Sequence, residues 1–313
     1  MKALLFIETD REKILGGSLE LISSVKALDA EGTALIVGNR AAADTVADLG
    51  IPVIFIDTAA DCDTLTEVLS ETVKEQNPDI VLLANTALAK DIAPRISARM
   101  CLGCVSDVIG MSKADGKVIY TRPAYGGTIL ENIEVEGTAV VTVRNGSFSK
   151  TEAGSNAGVT EKKVEIPASA VKAKIVDTVK EISESVNLEE AEVIVSGGRG
   201  MGNPENFKLV EELARVLGGV VGATRPPIED GWISRAHQVG QSGKIVAPKL
   251  YIACGISGAT QHTSGMSGSN YIVAINKDED APIFEIANVA IVGNVTEVLP
   301  AMIEEMKKLK GKE

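Results

Sequence analysis

The sequence is poor in aromatic residues, with 1 Trp, 4 Tyr and 5 Phe among 313 positions. That leaves few platforms on which unpaired bases could stack. Basic side chains are also in deficit, 31 against 43 acidic ones, for a formal net charge of −12. Phosphate-backbone binding depends on an excess of Lys and Arg, so nucleic acid is not an expected partner. No apolar run approaches the roughly 20 residues of a membrane-spanning helix, and no stable membrane insertion is expected. At the N-terminus the run MKALLFI is cut short by Glu8, Thr9, Asp10 and Arg11. This is too soon for the apolar core of a signal peptide, and a cytoplasmic location is expected.

Cysteine and histidine are scarce as well. Cys62, Cys101, Cys104 and Cys254 are too few and too scattered for a disulfide framework. The spacing Cys101-x-x-Cys104 invites a metal or redox reading, but a zinc site needs a second ligand pair, and His237 and His262 are the only histidines. The two thiols are expected to be small buried structural groups, and no metal is expected.

What the sequence does contain is a recurrence of short Val/Ile/Leu runs. Strands are expected at 2–8, 33–38, 52–57, 79–84, 117–121 and 138–144, then at 192–196, 219–223, 250–254, 271–275 and 289–293. Runs apolar on both faces suit a parallel sheet covered on both sides by helices. Helical patterns lie at about 18–30, 41–49, 63–76 and 86–100. The clearest helix has Asn203 as N-cap, Pro204 at its first position, Phe207, Val210, Leu213 and Leu217 on one face, and Gly218-Gly219 as its stop. A C-terminal helix at about 297–310 is expected to turn Val298, Met302, Ile303, Met306 and Leu309 inward. Between the two series, 145–161 is polar and Gly/Ser-rich, and 164–188 reads as one strand and a charged helix ending in Asn187. The expected architecture is α/β in two domains, 1–188 and 189–313, each a mainly parallel sheet flanked by helices.

The chain holds 30 glycines, and many of them fall in the turns after the second series of strands. Ligands of open α/β sheets bind at the carboxyl ends of strands, where Gly lets backbone N–H groups approach phosphate oxygens. Ser196-Gly197-Gly198-Arg199-Gly200, before a capped helix, reads as a pyrophosphate cradle or equally as a tight turn with a solvated Arg. In Thr224-Arg225-Pro226-Pro227 two prolines stiffen the chain after Arg225, suiting an anionic or planar ligand. Gln238 through Gly243 and Gly255 through His262 combine Gly with small hydroxyl and amide groups. A nucleophile elbow, HExxH, and paired carboxylates in these turns are all missing. Such a site suits a cofactor that carries its own chemistry, not a protein acting as a stand-alone catalyst.

At this point the residues carry a resemblance. SGGRG at 196–200, NPENFKLVEELARVLGG at 203–219, GATRP at 222–226, QVGQSGKIVAPKLYIACGISGATQH at 238–262, INKD at 275–278 and AP-F at 281–284 resemble the alpha subunit of electron transfer flavoproteins. The first half is similar more loosely, in APRISARM (93–100), VSDV (105–108) and RPAYGGT (122–128). The resemblance implies a Rossmann-like C-terminal domain holding one FAD, a heterodimer with a beta subunit, and electron shuttling between acyl-CoA or other dehydrogenases and an acceptor. Flavin-based bifurcation with NADH is a further option within it. By the same resemblance Arg199 and Thr224 belong with the FAD phosphates, Arg225 with the isoalloxazine ring, and Gln241 and Ser242 near flavin N5. Gln238, Val239 and Gly240 belong to the same turn. Ser257, Gly258, Ala259, Thr260 and Gln261 run along the ribityl and phosphate groups. His262 points at flavin O2, and Asn276, Asn294 and Val295 belong to the adenosine side. Ser242 stands where many members carry Thr, and Asn294 where many carry Asp. Readings from other classes are an NAD-dependent transferase or deacylase using His262 as general base, and a nucleotide-binding regulatory protein.

Overall fold

The computed structural model describes residues 1–10, 13–151, 154–173, 176 and 187–311. Two compact units emerge, Met1–Ala124 with Thr128–Val179, and Tyr125–Gly127 with Lys180–Glu313.

The first unit begins with β1 (Lys2–Phe6), the short pair β2 (Thr9–Asp10) and β3 (Lys13–Ile14), and α1 (Gly16–Ala27). It continues through β4 (Glu31–Val37), α2 (Arg40–Asp48), β5 (Val53–Ile56), α3 (Cys62–Gln76), β6 (Ile80–Ala84) and α4 (Ala87–Met100). There follow β7 (Gly103–Val108), β8 (Gly110–Ala114), β9 (Lys117–Ala124), β10 (Ile129–Glu134), β11 (Ala139–Val143) and β12 (Val159–Lys162). Seven strands form one sheet in the order β12-β5-β4-β1-β6-β11-β7, all neighbours parallel. Its central strands are buried on both faces, which is why they read as unbroken apolar runs. Asn39, Asp61 and Thr86 accept backbone N–H bonds at the starts of α2, α3 and α4, fixing where those helices begin.

Several expectations for this unit change. Residues 117–121 belong to β9, the middle strand of an antiparallel sheet β10-β9-β8, not to a parallel one. Its neighbours are largely exposed, so no apolar run announced them. The strand expected after 164 is instead β12, inside the polar stretch; it pairs parallel with β5, Val159 opposite Val53. It is an edge strand, and its ladder partners are backbone groups that need no apolar sequence. Val164 and Ile166 still pack against the core. The charged helix expected to end at Asn187 lies outside the described residues. Cys101 and Cys104 are exposed, contrary to the buried pair expected. Cys101 ends α4 in the left-handed conformation (φ 56°), which turns the chain outward there.

In the second unit the elements are β13 (Val193–Gly197), α5 (Pro204–Leu217), β14 (Val220–Ala223), α6 (Arg225–Glu229), β15 (Leu250–Cys254), α7 (Thr260–Thr263), β16 (Tyr271–Asn276), β17 (Val289–Val292) and α8 (Val295–Lys310). Five strands pair in parallel in the order β14-β13-β15-β16-β17. Asn203, Pro204 and Gly218 cap α5 as its sequence requires, with Asn203 Oδ1 accepting from Asn206 N at 2.8 Å. On one sheet face Val195, Ile252 and Ile275 pack with Phe207, Val210 and Leu213 of α5 and Leu299 and Ile303 of α8. Leu299 carries the burial expected of Leu309, which is 58% exposed. The other face is covered mainly by irregular chain, through Val239, Val246, Ile256, Met266 and Ile283. Helices were expected on both faces; loops take one because they also have to build the site.

Candidate functional site

A cavity of about 850 Å³ opens at the carboxyl ends of β13, β14, β15 and β16. That volume lies within the range of small-molecule and cofactor sites. Four chain segments form it: Gly198–Gly200, Thr224–Pro226, Gln238–Ser242, and the stretch from Gly255 onward with Asn276–Asp278, Ala281 and Pro282.

The glycines hold these segments against one another. A Cβ on Gly198 would lie 2.3 Å from Gly255 O, and one on Gly200 2.6 Å from the same oxygen. Gly200 N donates to Gly255 O at 2.9 Å, and Gly198 N donates to Cys254 O. Gly258 adopts φ +92°, and a Cβ there would meet Ile283 N at 2.2 Å. Their first task is therefore loop-on-loop approach, which leaves other N–H groups open. The amides of Ser257 through Gln261, leading into α7, have no intramolecular acceptor among the described residues. Unpaired amides at the end of a strand are an anion-binding feature.

Of the expected site residues, Arg199, Thr224, Arg225, Gln238, Val239, Gly240, Gln241, Ser242, Ser257, Ala259, Gln261, His262 and Asn276 line the cavity. Gly258, Thr260, Asn294 and Val295 do not. Gly258 shapes the turn, Thr260 starts α7, and Val295 is buried in the core of α8. Asn294 is the N-cap of α8, accepting from Thr296 N at 3.1 Å and from its hydroxyl at 2.9 Å. Lys277, Asp278, Ala281 and Pro282 also line the cavity without having been singled out, although they sit inside the quoted INKD and AP-F runs.

Charge is unevenly held. Arg225 opens α6 and its Nε donates to Glu229 Oε1 at 2.7 Å, both side chains exposed. Arg199 is exposed and makes no ion pair among the described residues, leaving it available to a ligand anion. Gln238 is buried and its Nε2 donates to Ser242 Oγ at 2.8 Å. The Ser242 hydroxyl proton is then free to donate elsewhere, and the bond limits the rotamer that a Thr methyl would otherwise restrict. Asn276 Nδ2 donates to Ile256 O at 2.9 Å and its Oδ1 accepts from Asp278 N at 3.0 Å, tying two lining turns together.

His262 is the one titratable group buried in the lining. Its Nδ1 lies 3.0 Å from Val239 O and its Nε2 3.0 Å from the hydroxyl of Tyr251, which is itself fully buried. Burial, opposed by the Val239 hydrogen bond, lowers its pKa to about 4. A neutral imidazole with both nitrogens engaged is a poor general base, which weighs against the transferase reading. Burial also pushes the Cys254 thiol up to about 12. Among the described residues no cluster of His, Cys, Asp or Glu could hold a metal, and no helix is long and apolar enough to cross a membrane.

Comparison with known proteins gives two family matches. Residues 3–174 match the electron transfer flavoprotein domain, and residues 187–267 match the electron transfer flavoprotein FAD-binding domain. The chain is 40% identical to an electron transfer flavoprotein subunit alpha of Thermoanaerobacterium thermosaccharolyticum over 98% of both chains. It is 41% identical to a protein of that name from Bacillus subtilis over 79% of this chain and 75% of the other. To Protein FixB of Clostridium saccharobutylicum it is 42% identical, again over 79% of this chain and 75% of the other.

Proposed function

The chain belongs to the electron transfer flavoproteins as an alpha subunit, and from that premise we propose that it carries electrons on FAD between a dehydrogenase and an acceptor while paired with a beta subunit. The observation that carries this reading is that the FAD-binding family match, residues 187–267, includes the cavity segments Gly198–Gly200, Thr224–Pro226 and Gln238–Ser242 and the lining residues from Gly255 to His262. Residues 189–313 form the flavin domain and residues 1–188 the part that meets the beta subunit. The location is cytoplasmic, and acyl-CoA dehydrogenase is the class of electron donor.

The residues fit FAD. Glycine turns packed on one another leave a run of unpaired amides, and Arg199, Arg225 and Lys277 face the same cavity with Asp278 as the single lining carboxylate. FAD when bound supplies the redox chemistry, accepting and returning electrons. Arg199 and the open amides of Ser257 to Gln261 hold the diphosphate. Arg225 would bring positive charge to the cavity, where it would stabilise negative charge gained by the cofactor. Glu229 draws on the same guanidinium and reduces that effect. The Ser242 hydroxyl, held from behind by Gln238, donates one hydrogen bond into the cavity. His262 contributes shape and no charge.

The test is the visible spectrum of the chain co-expressed with its beta subunit. A flavin absorption lost on Arg199→Ala supports the reading, and a colourless complex that takes up neither FAD nor FMN sinks it. A second FAD per heterodimer together with reduction by NADH identifies a bifurcating complex, whereas one FAD plus AMP identifies a simple carrier.

A further inference from the structure

We propose that Tyr251 is a positioning residue whose buried hydroxyl donates to His262 Nε2 and holds that imidazole as the neutral Nδ1–H tautomer at the wall of the flavin cavity. Hydrogen-bond roles decide the assignment. Val239 O is a carbonyl and can only accept, so the His262 Nδ1 facing it at 3.0 Å carries the proton. A neutral ring then has only a lone pair at Nε2, and the group at 3.0 Å from it is the Tyr251 hydroxyl. The opposite tautomer would aim the Nδ1 lone pair at a carbonyl oxygen, leaving two buried acceptors face to face.

The sheet supplies the geometry. Tyr251 pairs with Ile194 across β15 and β13, and Ser196, two residues further along β13, projects from the same face. Ser196 Oγ is buried and makes no hydrogen bond. It therefore does not take the Tyr251 hydroxyl proton, which leaves His262 Nε2 as the acceptor. Loss of the Tyr251 hydroxyl would strip the buried His262 Nε2 of its donor. The consequence rests on the FAD reading: a residue lining the cavity meets the cofactor uncharged, and charge complementarity falls to the arginines.

Imidazole ¹⁵N spectra of the full chain with its beta subunit and FAD test this directly. This chain has only two histidines, so with the beta subunit unlabelled His262→Gln assigns the signals without ambiguity. Wild type is expected to show Nδ1 protonated and Nε2 unprotonated from about pH 5 to 8, the window in which an ordinary His titrates. Ser196→Ala is expected to leave that pattern unchanged. Tyr251→Phe removes a donor that favours the neutral ring, and the proton affinity of His262 should rise about five- to tenfold. A protonated Nε2 in wild type near neutral pH, a changed tautomer in Ser196→Ala, or a Tyr251→Phe spectrum identical to wild type overturns the proposal. Should Tyr251→Phe not fold, a protonated Nε2 in wild type still overturns the proposal. Flavin absorbance of the same samples tests the cofactor separately, since the tautomer is readable in flavin-free protein too.

Discussion

Lowering the pH should destabilise the second unit through His262. Its ordinary pKa of 6.5 applies to the unfolded chain, and burial lowers the folded value to about 4. Between those values the unfolded state binds more protons than the folded one, so stability is full above about pH 6.5 and falls as pH drops toward 4. At about 1.4 kcal/mol per pKa unit, the whole shift is worth about 3 kcal/mol, of which about 2 kcal/mol is lost between pH 7 and pH 4.5. Trp232 is the only tryptophan and its ring lies edge-on to Phe207 at 6.4 Å within the same unit, so its fluorescence during urea unfolding reports on the right domain. Carboxylates elsewhere also titrate in this range; Glu20 in the first unit has a raised pKa, mainly from burial. The comparison is therefore with His262→Gln, which cannot titrate. Wild type should lose about 2 kcal/mol relative to that variant on going from pH 7 to 4.5. An equal stability difference at both pH values would refute the burial argument and the neutral imidazole with it.

Glu229→Gln should release the Arg225 guanidinium from its 2.7 Å partner and tighten FAD binding about two- to fivefold, the range of an exposed ion pair, as measured by quenching of flavin fluorescence. Unchanged or weaker binding would mean that Arg225 does not serve the cofactor. Gly258→Ala puts a Cβ against Ile283 N in a left-handed conformation, and thermal melting should show destabilisation of about 2 kcal/mol or more. A melting curve matching wild type would show that the turn can relax.

Much of the fold is local and so was legible. Strands buried on both faces of the sheets announce themselves as apolar runs, and Asn203, Pro204 and Gly218 fix the limits of α5 through capping within a few residues. The cavity was legible for a related reason: its turns are built from contiguous Gly, amide and hydroxyl runs at strand ends, and those runs carried the family resemblance. Edge strands were not legible, because β8, β10 and β12 are satisfied by backbone pairing with little burial to mark them, β8 and β10 with the neighbouring β9 and β12 with the distant β5. Cys101 is exposed at the left-handed end of α4, and Cys104 is exposed on β7, an edge strand of the seven-stranded sheet.

Two series of buried strands, the glycine-rich turns, and an acidic chain with a few arginines near those turns are properties of contiguous residues and could be read without the fold. What those groups do to one another is set by the fold. It packed the glycines against backbone, gave Arg225 to Glu229, set Asn294 to cap α8, and enclosed His262 between Val239 O and the Tyr251 hydroxyl. The reason is that charge state, hydrogen-bond role and burial depend on neighbours brought from distant positions. Tyr251 and His262 are 11 residues apart, and His262 and Val239 are 23. No spacing rule in the sequence connects them; the parallel sheet and the loops across its face do.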